Sequence, residues 1–351
     1  MRKSIAVATA LFLCGGGVVL ACAPAPHAGD HITIVEEAAV IVWDPATKTE
    51  HFIRRATFGG SKARDFGFLV PTPSAPALAE VDDSIFDQLE AKTQRQTIYR
   101  RRKQVDWTPL FVLMTGMREG NKATSVVTDA VTVLATQKIA GYDAVVLEAS
   151  DAGALQKWLG DHGYASTDDL TKWLESYVHQ RWKITAFKID SSQRDLAPRT
   201  SAVKMSFTTE QPFFPYREPA SQRQVSYDDV VNRSLRIWFL GPERVRGVVG
   251  TNTAWPAELR RSENLDLRLR AEVMRMASVA LPVPVRMTAF EDYLRIRPGD
   301  DELFFSRSVD QNAFIPAPKV VEDVDKVHVP ADLAVLIVIV IVVSVARRAR
   351  A

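Results

Sequence analysis

Val40-Ile-Val-Trp-Asp-Pro-Ala-Thr-Lys-Thr-Glu-His-Phe-Ile-Arg54 decides the fold class. Its first arm runs apolar, its middle is Asp44-Pro45-Ala46-Thr47, and its second arm returns to Phe and Ile. Asp and Pro favour a tight turn, so the stretch reads strand, turn, strand. Ile32–Val35 and Ala39–Trp43 belong to the incoming side, and Glu50–Phe58 to the outgoing side.

Further strands are expected at Lys183–Ile189, Ala202–Thr208, Leu235–Leu240, Val283–Thr288 and Glu302–Ser306. Pro71-Thr-Pro-Ser-Ala-Pro76 reads as an extended loop, and Asp83 or Ser84 caps a short helix bearing Ile85, Phe86 and Leu89. Two longer helices follow. Ser150-Asp151 starts the first, which turns Leu155, Trp158 and Leu159 inward and ends at Gly160 or Gly163. Thr167-Asp-Asp169 caps the second, with Leu170, Trp173, Leu174, Tyr177 and Val178 on its apolar face. Lys157-Trp-Leu159 echoes in Lys172-Trp-Leu174, which is too little for a repeat array. The expected architecture is α+β, with mixed or antiparallel sheets and a helical hairpin in the middle. It covers residues 30–314, with room for two lobes split near 150–182.

The two ends suggest an address. Leu333 to Ala346 is an apolar run stopped by Arg347, Arg348 and Arg350. Counted back to Val327, it reaches about 30 Å as a helix, the thickness of a hydrocarbon core. One transmembrane helix is therefore expected over 331–346, started by Pro330 and Asp332, after a stalk over 315–330. The arginine tail, 347–351, then faces the cytoplasm. A buried parallel strand competes, because Val335–Val345 is mostly Val and Ile. A cleaved sorting signal also competes, but neither Leu-Pro-x-Thr-Gly nor Pro-Glu-Pro precedes Leu333. Residues 1–23 read as a signal peptide: Arg2 and Lys3, apolar Ile5–Cys14, then Ala21-Cys22-Ala23. Val19-Leu-Ala-Cys22 also resembles a lipobox. Both cysteines, Cys14 and Cys22, lie in this leader, so the mature domain has no internal disulfide and relies on core burial.

Net charge is +2, but five of the 44 Lys and Arg belong to the leader and tail. Residues 24–330 keep 39 basic against 41 acidic groups, which leaves no polyanion-binding balance. Arg100-Arg-Arg-Lys103, with Lys92 and Arg95 before it, reads as a solvated helix end or loop; contact with anionic headgroups or envelope polymers is the alternative. Nucleic acid is not an expected partner.

No motif announces chemistry. The six histidines, at 27, 31, 51, 162, 179 and 328, show no metal spacing, and neither a metal nor a cofactor is expected. His162 and His179 sit at helix ends, where capping is the commoner role. Asp65-Phe-Gly67 echoes the kinase triplet without its companion motifs. Glu50 and His51 are adjacent on a strand and so point to opposite faces, which argues against an acid–base pair. Arg217-Glu218, between prolines, is either a ligand-binding loop or a structural ion pair.

Val40–Arg54, Asp65-Phe-Gly-Phe-Leu-Val-Pro-Thr-Pro73, the hairpin with His162-Gly-Tyr164, and Pro212-Phe-Phe-Pro-Tyr-Arg-Glu-Pro219 occur in this order. Together they resemble the bacterial family of domain of unknown function 2330, over nearly all of residues 30–340. That resemblance implies an envelope location and a leader–ectodomain–apolar C-terminus outline, and it supplies no catalytic residues. It also implies Cys-containing blocks after the leader, where this chain reads Cys22-Ala-Pro-Ala-Pro26. The expected function is a membrane-tethered extracytoplasmic binding or scaffolding domain. An envelope hydrolase is the alternative.

Overall fold

Ala38 to Val42 is apolar at every position because the strand that contains it is covered on both faces. The computed structural model describes residues 23–25, 33–59, 66–106, 142–164, 167–189, 202–219, 233–294, 300–328 and 331–349. The first strands are β1 (Ala23–Ala25), β2 (Thr33–Asp44), β3 (Thr49–Gly59), β4 (Phe66–Thr72), β5 (Ala77–Glu80), β6 (Thr97–Asp106) and β7 (Tyr142–Leu147). Next come β8 (Lys183–Ile189), β9 (Val203–Thr208), β10 (Phe213–Phe214), β11 (Ser234–Gly241) and β12 (Val245–Val249). The last are β13 (Thr253–Ala254), β14 (Glu258–Asn264), β15 (Arg286–Asp292), β16 (Leu303–Arg307) and β17 (Lys319–His328). The helices are α1 (Ser84–Thr93), α2 (Ala152–Asp161), α3 (Asp168–His179), α4 (Leu267–Ala277) and α5 (Ala331–Arg348). The chain divides into two compact units, Met1–Gln94 with Thr132–Ile315, and Arg95–Val131 with Pro316–Ala351.

The first unit is built on a seven-stranded sheet in the order β14-β15-β11-β2-β3-β9-β5. Its β11–β2 pair is parallel and its other pairs are antiparallel, so the sheet is mixed. The β2–β3 turn is fixed by Asp44, whose carboxylate accepts from Ala46 N at 2.9 Å and Thr47 Oγ1 at 2.8 Å. Ala39 and Ile41 point into one core, and Ala38, Val40 and Val42 into another. The first core packs against two four-stranded sheets, β1-β4-β8-β7 and β10-β16-β12-β13, which contribute Phe68, Phe187, Phe214 and Phe305. The second core is closed by Phe86 and Leu89 of α1 and by Leu269, Val273 and Met276 of α4. On the far face of β4 and β8, Leu69, Ile184 and Ala186 meet α2 and α3. The unit is thus layered helices, sheet, sheets, helices.

The helical hairpin forms where its signals place it. Asp151 accepts from Ala154 N at 2.7 Å and Thr167 from Leu170 N at 3.2 Å, each satisfying an orphan donor of the first turn. Gly163, at φ +78°, ends α2 and lets Tyr164 N reach back to Leu159 O at 2.9 Å. Tyr164 in turn lies so close to Gly67 that a Cβ there would sit 2.3 Å from its ring, so only glycine fits. Helix α4 was not expected from the sequence. It carries its core residues at 269, 273 and 276 between arginines, and Asp266 caps it through Leu269 N at 2.9 Å. The strand expected at Val283–Thr288 begins only at Arg286.

The second unit holds β6 and β17, paired in parallel from Lys319↔Thr97 to His328↔Asp106. Arg100–Lys103 therefore lies on a strand rather than on a helix end or loop, and most of 315–330 is strand too. The register sets Arg100 opposite Glu322, Arg101 opposite Asp323 and Lys103 opposite Asp325.

The expected transmembrane helix is overturned. Leu333–Ala346 is helical within α5, but no helix among the described residues is long and apolar enough to cross a membrane. The count back to Val327 fails because Val327 and His328 belong to β17. Asp332, Arg347 and Arg348 fall inside α5, which leaves an apolar run of about 21 Å against a hydrocarbon core of about 30 Å. Residues 1–22 of the expected signal peptide, with Cys14 and Cys22, lie outside the described residues, as do His27, His31, Asp65 and Pro330.

Candidate functional site

Pro212-Phe-Phe-Pro-Tyr-Arg-Glu-Pro219 has three prolines and so three positions without an N–H. Among the described residues its only ladder is the two-residue pairing of β10 with β16. Buried carboxylates from distant elements take the amides of Phe213, Tyr216 and Arg217. Glu50 Oε2 accepts from Phe213 N at 2.9 Å. Glu302 Oε2 accepts from Tyr216 N at 2.7 Å and Arg217 N at 3.3 Å, while its Oε1 accepts from Tyr177 Oη at 2.5 Å. Asp292 Oδ2 accepts from Tyr216 Oη at 3.0 Å and Trp255 Nε1 at 3.2 Å. Glu218 pairs with Arg233 at 2.8 Å, and both side chains are buried. From α3, Trp173 Nε1 donates to Arg217 O at 2.9 Å, so the hairpin clamps the segment from outside.

Burial pushes the carboxyl of Glu50 well above its ordinary range, opposed only by the Phe213 amide. Glu50 Oε1 has no hydrogen-bond partner among the described residues, which suits a protonated group. Burial also raises Glu302, against the hydrogen bonds from Tyr177, Arg217 and Tyr216 and the Arg217 charge. What the segment presents outward is Arg217. Its Nη2 meets Asp301 Oδ1 at 3.0 Å, its guanidinium stands 6.0 Å from the Tyr177 ring, and its side chain is 23% exposed. A guanidinium on a backbone fixed this firmly is suited to recognising a carboxylate or other oxyanion in competition with Asp301. Arg217 and Glu218 each form a structural ion pair, with Asp301 and Arg233, so the ion-pair reading of this loop holds, with a separate partner for each residue.

The other candidates disperse. Glu50 enters the first core, whereas His51 lies on the helix-covered face with Nδ1 2.8 Å from Ser206 Oγ. Burial lowers the His51 imidazole, with the nearby Lys204 charge adding to it and Asp44 opposing. Lys204 itself donates to Ala277 O at 2.7 Å and Ser278 O at 3.0 Å, at the carbonyl end of α4. His162 caps α2: its ring stacks on Trp158 at 3.8 Å and its Nδ1 meets Trp158 O at 2.8 Å. His179 closes α3. Lys92 pairs with Glu263 and Asp266 at 3.4 and 3.3 Å. Among the described residues no group of His, Cys, Asp and Glu is placed to hold a metal ion. A shallow cleft elsewhere is lined by Glu90, Thr93, Trp238, Arg236, Arg260 and Glu291. Its two arginines are bridged by Glu291 at 3.2 Å each, which makes it a structural charge network.

Glu302, Asp292, Arg233 and Ser206 were not singled out from the sequence. The prolines of 212–219 were the available signal, since they leave that segment with a ladder of only two residues among those described and call for side-chain acceptors.

A second surface is α5. Leu336, Ile339, Val340, Val343 and Val345 are exposed, and Leu336 and Val345 lie on opposite sides of the helix at about 100° per residue. Arg347 and Arg348 occupy its last turn.

A comparison with curated proteins gives no match. Residues 13–247 match the family described as "Uncharacterized protein conserved in bacteria (DUF2330)", a range that takes in the β2–β3 turn, the hairpin and the 212–219 segment but stops short of residue 340. With more than half of its length matched, the chain belongs to this bacterial family.

Proposed function

We propose that this protein is a binding module of the bacterial cell envelope, on the outer side of the cytoplasmic membrane, seated on a lipid surface without crossing it. The observation that carries the reading is α5, whose apolar side chains emerge on opposite sides beside a basic end. One protein groove covers one stripe of a helix; the acyl chains of one leaflet can surround a short apolar helix that enters it partway, and anionic headgroups complement the arginines. The signal-like residues 1–23 support the address. The test is flotation of the full chain with vesicles of phosphatidylcholine alone or with phosphatidylglycerol. Flotation is expected to be strongest with the anionic lipid and lost in Ile339→Asp/Val340→Asp. A wild-type chain that stays at the bottom of both gradients overturns the reading.

An envelope hydrolase is the second reading, and the observation in its favour is the 2.8 Å contact between His51 and Ser206. There the imidazole would take the hydroxyl proton as Ser206 attacks. A fluorophosphonate probe should then label Ser206, and Ser206→Ala and His51→Ala should both abolish labelling. An unlabelled wild-type protein removes this reading.

A further inference from the structure

The two ion pairs at the end of the 212–219 segment differ in kind. Glu218 and Arg233 are buried, whereas Arg217 and Asp301 keep 23% and 56% of their side chains exposed. The exposed pair is also incomplete. Arg217 Nη2 meets Asp301 Oδ1 at 3.0 Å, while its Nε is buried with no hydrogen-bond partner among the described residues. A guanidinium has a fork of donors and commonly meets a carboxylate through two parallel bonds, so this contact is half made. Both backbones are held. Arg217 N donates to Glu302 Oε2 at 3.3 Å, and Arg217 O accepts from Trp173 Nε1 at 2.9 Å. Opposite, Gly250 N donates to Glu302 O at 2.9 Å. The Asp301 carboxylate lies over Gly250, where a Cβ would fall 2.7 Å from Oδ2. Asp301 is thus lodged where it reaches Nη2 and leaves Nε unfilled.

We propose that Arg217 is a receptor for a carboxylate ligand and that Asp301 is its internal place-holder. A carboxylate free of the chain takes Nε and Nη2 side-on, making two bonds where Asp301 makes one. Asp301 turns into solvent and uncovers Nε as it leaves. Little opposes the exchange, because an ion pair this exposed is weak. The charge suits a monoanion. Arg217 is a single cation with Asp301 against it and Asp300 next in the chain, so a dianion such as phosphate would leave a charge unmatched. The carboxylate belongs either to a small free acid or to the C-terminus of a peptide.

The Nε–H of Arg217 can be followed directly by 1H–15N correlation on the full, 15N-arginine-labelled chain, in detergent that covers α5. Its signal is assigned by its loss in Arg217→Lys, whose remaining spectrum reports an intact fold. Acetate and the peptide Ala-Ala-Ala are titrated separately, with chloride replaced so that ionic strength stays constant. A saturable shift of the Nε–H signal is expected. Asp301→Asn should tighten binding by up to about fivefold, since it removes a weak exposed competitor. A response to acetate as strong as to the peptide assigns a small acid; a stronger response to the peptide, lost in its C-terminal amide, assigns a chain terminus. A signal that stays still in both wild type and Asp301→Asn overturns the proposal. So does a shift that chloride or inorganic phosphate reproduces equally. No lipid is present, so the result does not depend on whether α5 binds a membrane.

Discussion

The carboxyl of Glu50 is pushed well above its ordinary range because the folded chain surrounds it with apolar side chains and offers one amide to one of its oxygens. In the unfolded chain the same carboxyl ionises near its ordinary 4.5. Between these two values the folded state holds a proton that the unfolded state has released. Stability from this group is full below about 4.5 and is lost as pH rises toward the folded value, at up to about 1.4 kcal/mol per pH unit. Glu50→Gln removes that slope. The urea midpoint of the variant should fall less than that of wild type between pH 5 and 9, and parallel curves would refute the assignment. Glu302 is raised for the same reason and leaves a residual slope in the variant. The separation of Glu50 from His51 was legible in the sequence, because strand parity alone dictates it. Their partners were not, since Phe213 lies 163 residues from Glu50 and Ser206 lies 155 from His51.

Helix α3 joins local signals to long-range chemistry. Its Thr167 cap and apolar face are sequence-local and could be read directly. Its role as a clamp depends on Tyr177 meeting Glu302, 125 residues away, which no periodicity reveals. Tyr177→Phe strips a donor from a buried carboxyl and should cost about 1–3 kcal/mol in equilibrium unfolding, with the helix itself intact by circular dichroism. A loss below about 0.5 kcal/mol would mean that the hydroxyl is dispensable. Helix α4 escaped notice because arginines interrupt its apolar positions, and β17 because prolines flank it and charges interrupt a strand whose logic resides in its partner β6.

For the whole molecule, charge is organised by pairing rather than by sign. The basic run at 100–103 is in register with acidic residues of the neighbouring strand, so the wild-type chain should pass heparin resin near physiological salt. Glu322→Gln/Asp323→Asn should be retained; retention of wild type would show that the cations are available after all. The apolar C-terminal run shows the limit of counting. Its length in residues suggested a span, but the boundary between β17 and α5 falls inside that count, and such a boundary is set by pairing with residues 97–106.

The proline-rich 212–219 segment also constrains the order of events during folding. Its amides are held by residues 50 and 302, and its tyrosine hydroxyl by residue 292, so it gains these partners only after both ends of the first unit have converged. Loop-closure entropy must be met before any of these bonds forms, which makes the segment a late latch rather than a nucleus. Substitutions there should accelerate unfolding and leave the refolding rate nearly unchanged.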